Sequence, residues 1–131
     1  MQILQPEGWA RPRGYSNGIA AEGRMVFVAG QIGWNAECEF ESDDFVDQTR
    51  QALSNVVAVL AEAGATPDRI TRLTWYVADK GKYLAAAREI GAVYREIIGE
   101  HYPAMTLVVA GLLEDRALVE IEATVVIAAP S

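Results

Sequence analysis

The most regular alternation of apolar and polar positions lies near the C-terminus. Over residues 118–127, Val119, Ile121, Ala123, Val125 and Ile127 fall on one side of an extended chain, and Glu120, Glu122 and Thr124 on the other. A period of two is the mark of a half-buried strand. Residues 101–110 have the same β-rich character, and Gly111 with Glu114 and Asp115 marks a turn between the two segments, so they are expected to pair as a hairpin. A strand with so regular an apolar face is anchored in a core, which places Glu120 and Glu122 on a fixed surface. There they either solvate the outer face of a sheet or present chemistry.

The rest of the chain supplies the other layer. Residues 1–14 carry Pro6, Gly8, Pro12 and Gly14 and read as an irregular arm. Residues 15–20 read as a short strand, Glu22, Gly23 and Arg24 as a turn, and residues 25–29 as a buried strand. Gly30, Gln31, Gly33 and Trp34 follow, and bare backbone at two glycines implies close approach of another segment or a ligand. Ser42, Asp43 and Asp44 form a helix start. Phe45, Thr49, Ala52, Leu53, Val56, Val57 and Leu60 then share one helical face, and Gly64 stops the helix.

Residues 70–77 alternate again, with Leu73, Trp75 and Val77 opposed to Arg72, Thr74 and Tyr76. Asp79 caps a second helix whose apolar positions, among them Tyr83, Leu84, Ala87, Ile90, Val93, Tyr94 and Ile98, run to Gly99. The order ββαβαββ predicts an α+β fold. It is a two-layer sandwich of a mixed β-sheet with two helices on one face, in a single domain over residues 1–131. The other sheet face is left bare, and apolar residues expected there, such as Met105 and Tyr76, call for a homo-oligomer.

Composition narrows the function classes. Eleven basic against 18 acidic side chains give a net charge of -7, which disfavours nucleic acid and anionic membrane surfaces. No basic leader or membrane-length apolar run is evident, and one cysteine, Cys38, cannot form an intramolecular disulfide, so a cytoplasmic protein is expected. The acidic neighbours of Cys38 blunt its nucleophilicity. No phosphate-binding loop or dinucleotide fingerprint occurs. With His101 as the sole histidine there is no His-rich metal site, so no metal is expected. His101 itself is read as a partner of the carbonyls at the preceding helix end.

Taken together, Gly14-Tyr15-Ser16-Asn17-Gly18, residues 25–32, residues 48–56, Tyr102-Pro103-Ala104 and residues 119–123 resemble the Rid family, also called YjgF or reactive intermediate deaminases. The similarity runs in order through nearly the whole chain. It implies a chorismate mutase-like fold assembled as a homotrimer, with ligands bound in clefts between subunits. It also implies cofactor-independent hydrolysis of enamines or imines to a carbonyl product and ammonia.

By that resemblance Glu120 matches the water-positioning glutamate and Tyr15 the tyrosine of the pocket, so these two are the expected catalytic residues. The family's carboxylate-gripping arginine is replaced by Met105, its pocket cysteine by Leu107, and its pocket asparagine by Gly91. An arginine can form charge-assisted bonds of roughly 1.5–3 kcal/mol each, and methionine forms none. With Trp34, Gly30 and Gln31 also assigned to substrate binding, the expected cleft prefers a neutral, apolar or aromatic ligand. A non-catalytic metabolite-binding module on the same fold is the alternative.

Overall fold

The computed structural model describes residues 1–128. In chain order the elements are β1 (Gln2–Leu4), β2 (Gly18–Ala20), β3 (Arg24–Ile32), α1 (Phe45–Ala61), β4 (Ile70–Val77), α2 (Lys80–Ala85), α3 (Ala87–Ile97), β5 (Ala104–Val109) and β6 (Val119–Ile127). A 3₁₀ turn, Pro67–Arg69, precedes β4. The last four strands to be named in the main sheet run β3-β6-β4-β5, antiparallel except for the parallel β4–β5 pair. The α+β sandwich expected from the pattern is therefore present.

Helix α1 starts where Asp44 accepts a hydrogen bond from the Asp47 backbone N–H at 3.0 Å, and the chain leaves it through Gly64 at φ +76°. Its inward face carries Ala52, Leu53, Val56 and Leu60, fully buried against Leu73, Val77, Val119, Ile121 and Val125 of the sheet. Burial of each such branched side chain stabilises the fold by about 1.5–3 kcal/mol. One polar residue sits among them. Gln48 donates to the carbonyls of Ser42 and Arg116, both at 3.0 Å, and accepts from the Leu118 N–H at 2.8 Å. It thereby ties the helix start to the segment that feeds β6. Gly33, just past β3, lets the chain there pass close to the same helix turn, because a Cβ on it would lie 2.5 Å from the Gln48 Cβ.

Three expectations need correction. β5 and β6 are not a hairpin: β4 lies between them. The linking segment wraps the end of β4, with the Ala110 N–H bonded to the Val77 carbonyl and the Ala78 N–H to the Leu118 carbonyl, each at 3.0 Å. Residues 2–4 of the N-terminal arm are not irregular but pair with β2, in the register Gln2↔Ala20 and Leu4↔Gly18. The second helix is broken at Ala86 (φ -104°, ψ 11°), which separates α2 from α3.

The helices cover one sheet face. Along the other run Phe27, Thr74, Tyr76, Glu120, Glu122 and Thr124, with Phe27 72% and neighbouring Met25 56% exposed. Tyr76 lies on this open face as expected. Met105 does not: it pairs in register with buried Leu73 and belongs to the helix side.

Candidate functional site

Between β5 and the α2–α3 layer lies a cavity of about 510 Å³. Four residues singled out in the sequence, Tyr15, Gly91, Met105 and Leu107, line it together. Met105 and Leu107 sit beside Leu73 and Trp75 of β4 in the parallel register, which turns both into the helix side. Tyr15 reaches the cavity because its neighbour Ser16 is pinned to the start of β5. The Ser16 N–H bonds the Pro103 carbonyl at 2.9 Å and its hydroxyl the Tyr102 carbonyl at 2.5 Å.

The wall is rich in tyrosine. Tyr94 and Tyr102 stack with centroids 5.7 Å apart and planes 15° from parallel, and Tyr83 stands nearby in the lining. The Tyr94 hydroxyl donates to the His101 carbonyl at 2.6 Å. Burial first, and the neighbouring Tyr102 second, hold the Tyr94 phenol well above the ordinary tyrosine value. His101 contacts a carbonyl, but not one at the end of the helix that precedes it: its Nε2 lies 2.7 Å from the carbonyl oxygen of Ile70, just past the 3₁₀ turn, and donates to it. The reason is positional, since residues after Gly99 turn back along the start of β4.

Glu120, Gly30 and Gln31 are elsewhere in the chain. Tyr76 of β4 is the partner of Glu120 in register, and alternation along β4 sets Tyr76 opposite to Leu73 and Trp75. Glu120 thus lies on the open sheet face, with the sheet between it and the Met105 cavity. Its carboxylate rests over Gly30, where a Cβ would come within 2.0 Å of Oε2. The register shift in β3 between Val28 and Gln31 accompanies this close approach.

The two carboxylates of β6 are differently committed. Glu122 accepts a hydrogen bond from the Tyr76 hydroxyl at 2.8 Å, and that bond is the chief cause of a raised Tyr76 phenol, followed by burial and the charges of Glu122 and Glu120. Glu120 has no hydrogen-bond partner among the described residues. Trp34 joins neither group: it packs on Phe40 at 5.8 Å, and its carbonyl accepts from Asn55.

Sequence reading missed Arg13, Trp75, Ala87 and Arg95, all in the cavity wall. A signal existed. Tyr83, Ala87, Gly91 and Arg95 recur every four residues, a stripe with two small members between larger ones, which on a helix makes a hollow rather than a packed ridge.

The family model described as Endoribonuclease L-PSP matches residues 9–127. A RutC family protein of Pyrococcus horikoshii is 35% identical over 124 residues, covering 93% of this chain and 94% of that protein. The crystal structure of YyfB from Yersinia pestis, of the conserved Rid protein family, superposes with a TM-score of 0.81 at 34% identity, over 96% of this chain and 98% of that one. Escherichia coli TdcF with bound serine gives a TM-score of 0.69 at 29% identity over 98% and 100% of the two chains. TdcF bears the name of a reactive intermediate deaminase and is 32% identical over 107 residues, which are 79% of this chain and 80% of its own. Fold, sequence match and coverage agree, and the chain belongs to the Rid (YjgF/YER057c/UK114) family.

Proposed function

We propose that this protein hydrolyses imines or enamines to a carbonyl compound and ammonia, without a cofactor, in clefts between the subunits of a homotrimer. The observation that carries the reading is Glu120, a carboxylate fixed on a core strand, seated over Gly30 and free of other partners among the described residues. Glu122 is occupied by Tyr76, so of the two carboxylates Glu120 is the one available to a water molecule.

The chemistry asks little of the protein. An imine carbon is already electrophilic, so a water held by Glu120 adds to it while its proton passes to the carboxylate. That proton is returned to nitrogen to give a neutral carbinolamine. As the adduct's hydroxyl proton then passes through the Glu120 carboxylate to the nitrogen, the oxygen's electron pair forms the carbonyl and the carbon–nitrogen bond breaks to release ammonia. Tyr15, Met105 and Leu107 hold the body of the substrate. Since Glu120 and that cavity occupy opposite faces of one sheet, a working site combines the open face of one subunit with the cavity of a neighbour. The exposed Met25 and Phe27 give the open face a reason to be covered.

Met105 makes the cavity floor apolar where the family places an arginine, so specificity moves towards substrates with larger apolar bodies. The endoribonuclease wording of the family model fits less well, because an overall net charge of -7 repels an RNA backbone. One observation favours a binder without chemistry: within a single chain the carboxylate and the cavity are apart.

Ammonia release from imines generated in situ by an amino-acid oxidase separates these readings. The hydrolase reading predicts acceleration by the wild type and a loss of about a hundredfold or more in Glu120→Gln, with assembly unchanged. An unaffected rate in Glu120→Gln would remove Glu120 from the mechanism. Saturable binding with no ammonia release would leave the binder.

A further inference from the structure

The cavity has a charge opposite to that of the chain. The protein is strongly acidic, at -7, yet no aspartate or glutamate lines the cavity, and two arginines, Arg13 and Arg95, do. Among the other arginines, Arg24 bonds the Ala63 carbonyl, Arg50 pairs with Glu96 and Arg116 with Asp43, while Arg11, Arg69, Arg72 and Arg88 carry no such bond among the described residues but lie outside this cavity. Arg13 and Arg95 make no ion pair or side-chain hydrogen bond among the described residues.

Gly91 explains how Arg95 reaches the wall. The two are one turn apart on α3, and a Cβ at position 91 would lie 3.3 Å from the Arg95 Nη1. The guanidinium is therefore folded back over the bare Cα, towards the preceding turn, instead of extending into solvent. Glycine inside a helix is otherwise unfavourable, so its presence at the cavity wall needs such a reason.

The interior beneath the arginines is of another kind. Both arginines are exposed, whereas Met105 and Leu107 are half-buried and Trp75 is only 3% exposed. The Trp75 indole N–H, in the same wall, is buried without a partner. A volume near 510 Å³ suits a small molecule with a ring or a comparable branched group. The missing arginine at position 105 argued for a neutral ligand, but the cations at the mouth reverse that expectation.

We infer that this cavity binds a carboxylate carrying an aromatic or similarly bulky apolar body, with Arg95 and Arg13 holding the carboxylate at the mouth and Met105, Leu107 and Trp75 enclosing the body. Guanidinium groups match a carboxylate by paired, charge-assisted hydrogen bonds. The assignment rests on the cavity being the substrate site of the proposed hydrolase, and it is tested without turnover.

Calorimetric titration of the full chain would compare 3-phenylpropanoate, 3-phenylpropanamide and acetate for wild type, Arg95→Gln, Arg13→Gln and the double variant. Both arginines are exposed, so the variants are expected to fold. The acid should bind about a hundredfold more tightly than the amide and at least about tenfold more tightly than acetate. Each single substitution should weaken the acid by about tenfold, the double variant should bind acid and amide alike, and binding of the amide should not change. Equal affinity for acid and amide in the wild type, retention of acid affinity in the double variant, or no binding of any probe would overturn the assignment. Arginine-dependent binding with no ammonia release from any imine would refute the hydrolase and leave the carboxylate site standing. Turnover that needs Glu120 but neither arginine would do the reverse.

Discussion

At the scale of single residues, the balance between Glu120 and Glu122 depends on what lies across the sheet. Period-two alternation placed both carboxylates on one face of β6, and the structure agrees. Which of them is free was not legible, because the Tyr76 that occupies Glu122 comes from β4, 46 residues away in the chain. The glycines were readable as points of close approach but not as to what approaches: Gly30 faces the Glu120 carboxylate, and Gly33 faces Gln48. The two differ in what must yield to a methyl group. At Gly30 the obstacle is the far end of a flexible side chain, so Gly30→Ala should displace the carboxylate, change stability by less than about 1 kcal/mol and lower imine hydrolysis by tenfold or more. Thermal unfolding and ammonia release on the same sample check this, and full activity in Gly30→Ala would mean that the position of Glu120 over Gly30 is irrelevant to turnover.

At the scale of elements, helix α1 was the most legible part, since cap, apolar face and terminal glycine agree along one continuous segment. The β5–β6 relationship was misread because adjacency in sequence is the default for strands, and only the parallel β4–β5 pairing displaces it. The α3–β5 junction is held by Tyr94, whose hydroxyl bonds the His101 carbonyl while His101 bonds the carbonyl of Ile70. This junction also sets an alkaline limit. The phenols of Tyr94 and Tyr76 are both raised in the folded protein, Tyr94 by burial and Tyr76 by its bond to Glu122. Above the ordinary tyrosine value of about 10 the unfolded chain loses these protons and the folded chain keeps them, so stability is constant below that pH and falls as pH rises past it. Denaturant midpoints measured from about pH 7 to 11.5 should be flat up to about pH 10 and then decline. Tyr94→Phe should lower the plateau by about 1 kcal/mol and make the decline shallower, and a decline of unchanged steepness would exclude Tyr94 as its source.

At the scale of the whole molecule, the one-sided sheet was legible from the order of elements, and so was the need for something to cover its bare face. What no linear pattern reveals is the side on which an edge-strand residue ends up. Met105 was expected on the bare face, and its register with Leu73 places it in the cavity instead. That single placement divides the expected site in two, with Tyr15, Gly91, Met105 and Leu107 on the helix side and Glu120, seated over Gly30, on the other, while Gln31 pairs in register with the buried Ile121 and joins neither group. Under the proposed hydrolase, assembly becomes part of catalysis, because each half would take its complement from a neighbouring copy.

Subunit mixing tests this most directly. Glu120→Gln removes the carboxylate, and Ala87→Trp fills the cavity from an exposed helical position that lines it. Each variant alone should assemble normally and release almost no ammonia. Unfolded and refolded together in equal amounts, they should recover about a quarter of the wild-type rate, the fraction of interfaces that unite an intact carboxylate with an open cavity. A mixture that assembles into hybrid oligomers yet stays as inactive as its parents would contradict a site shared between subunits.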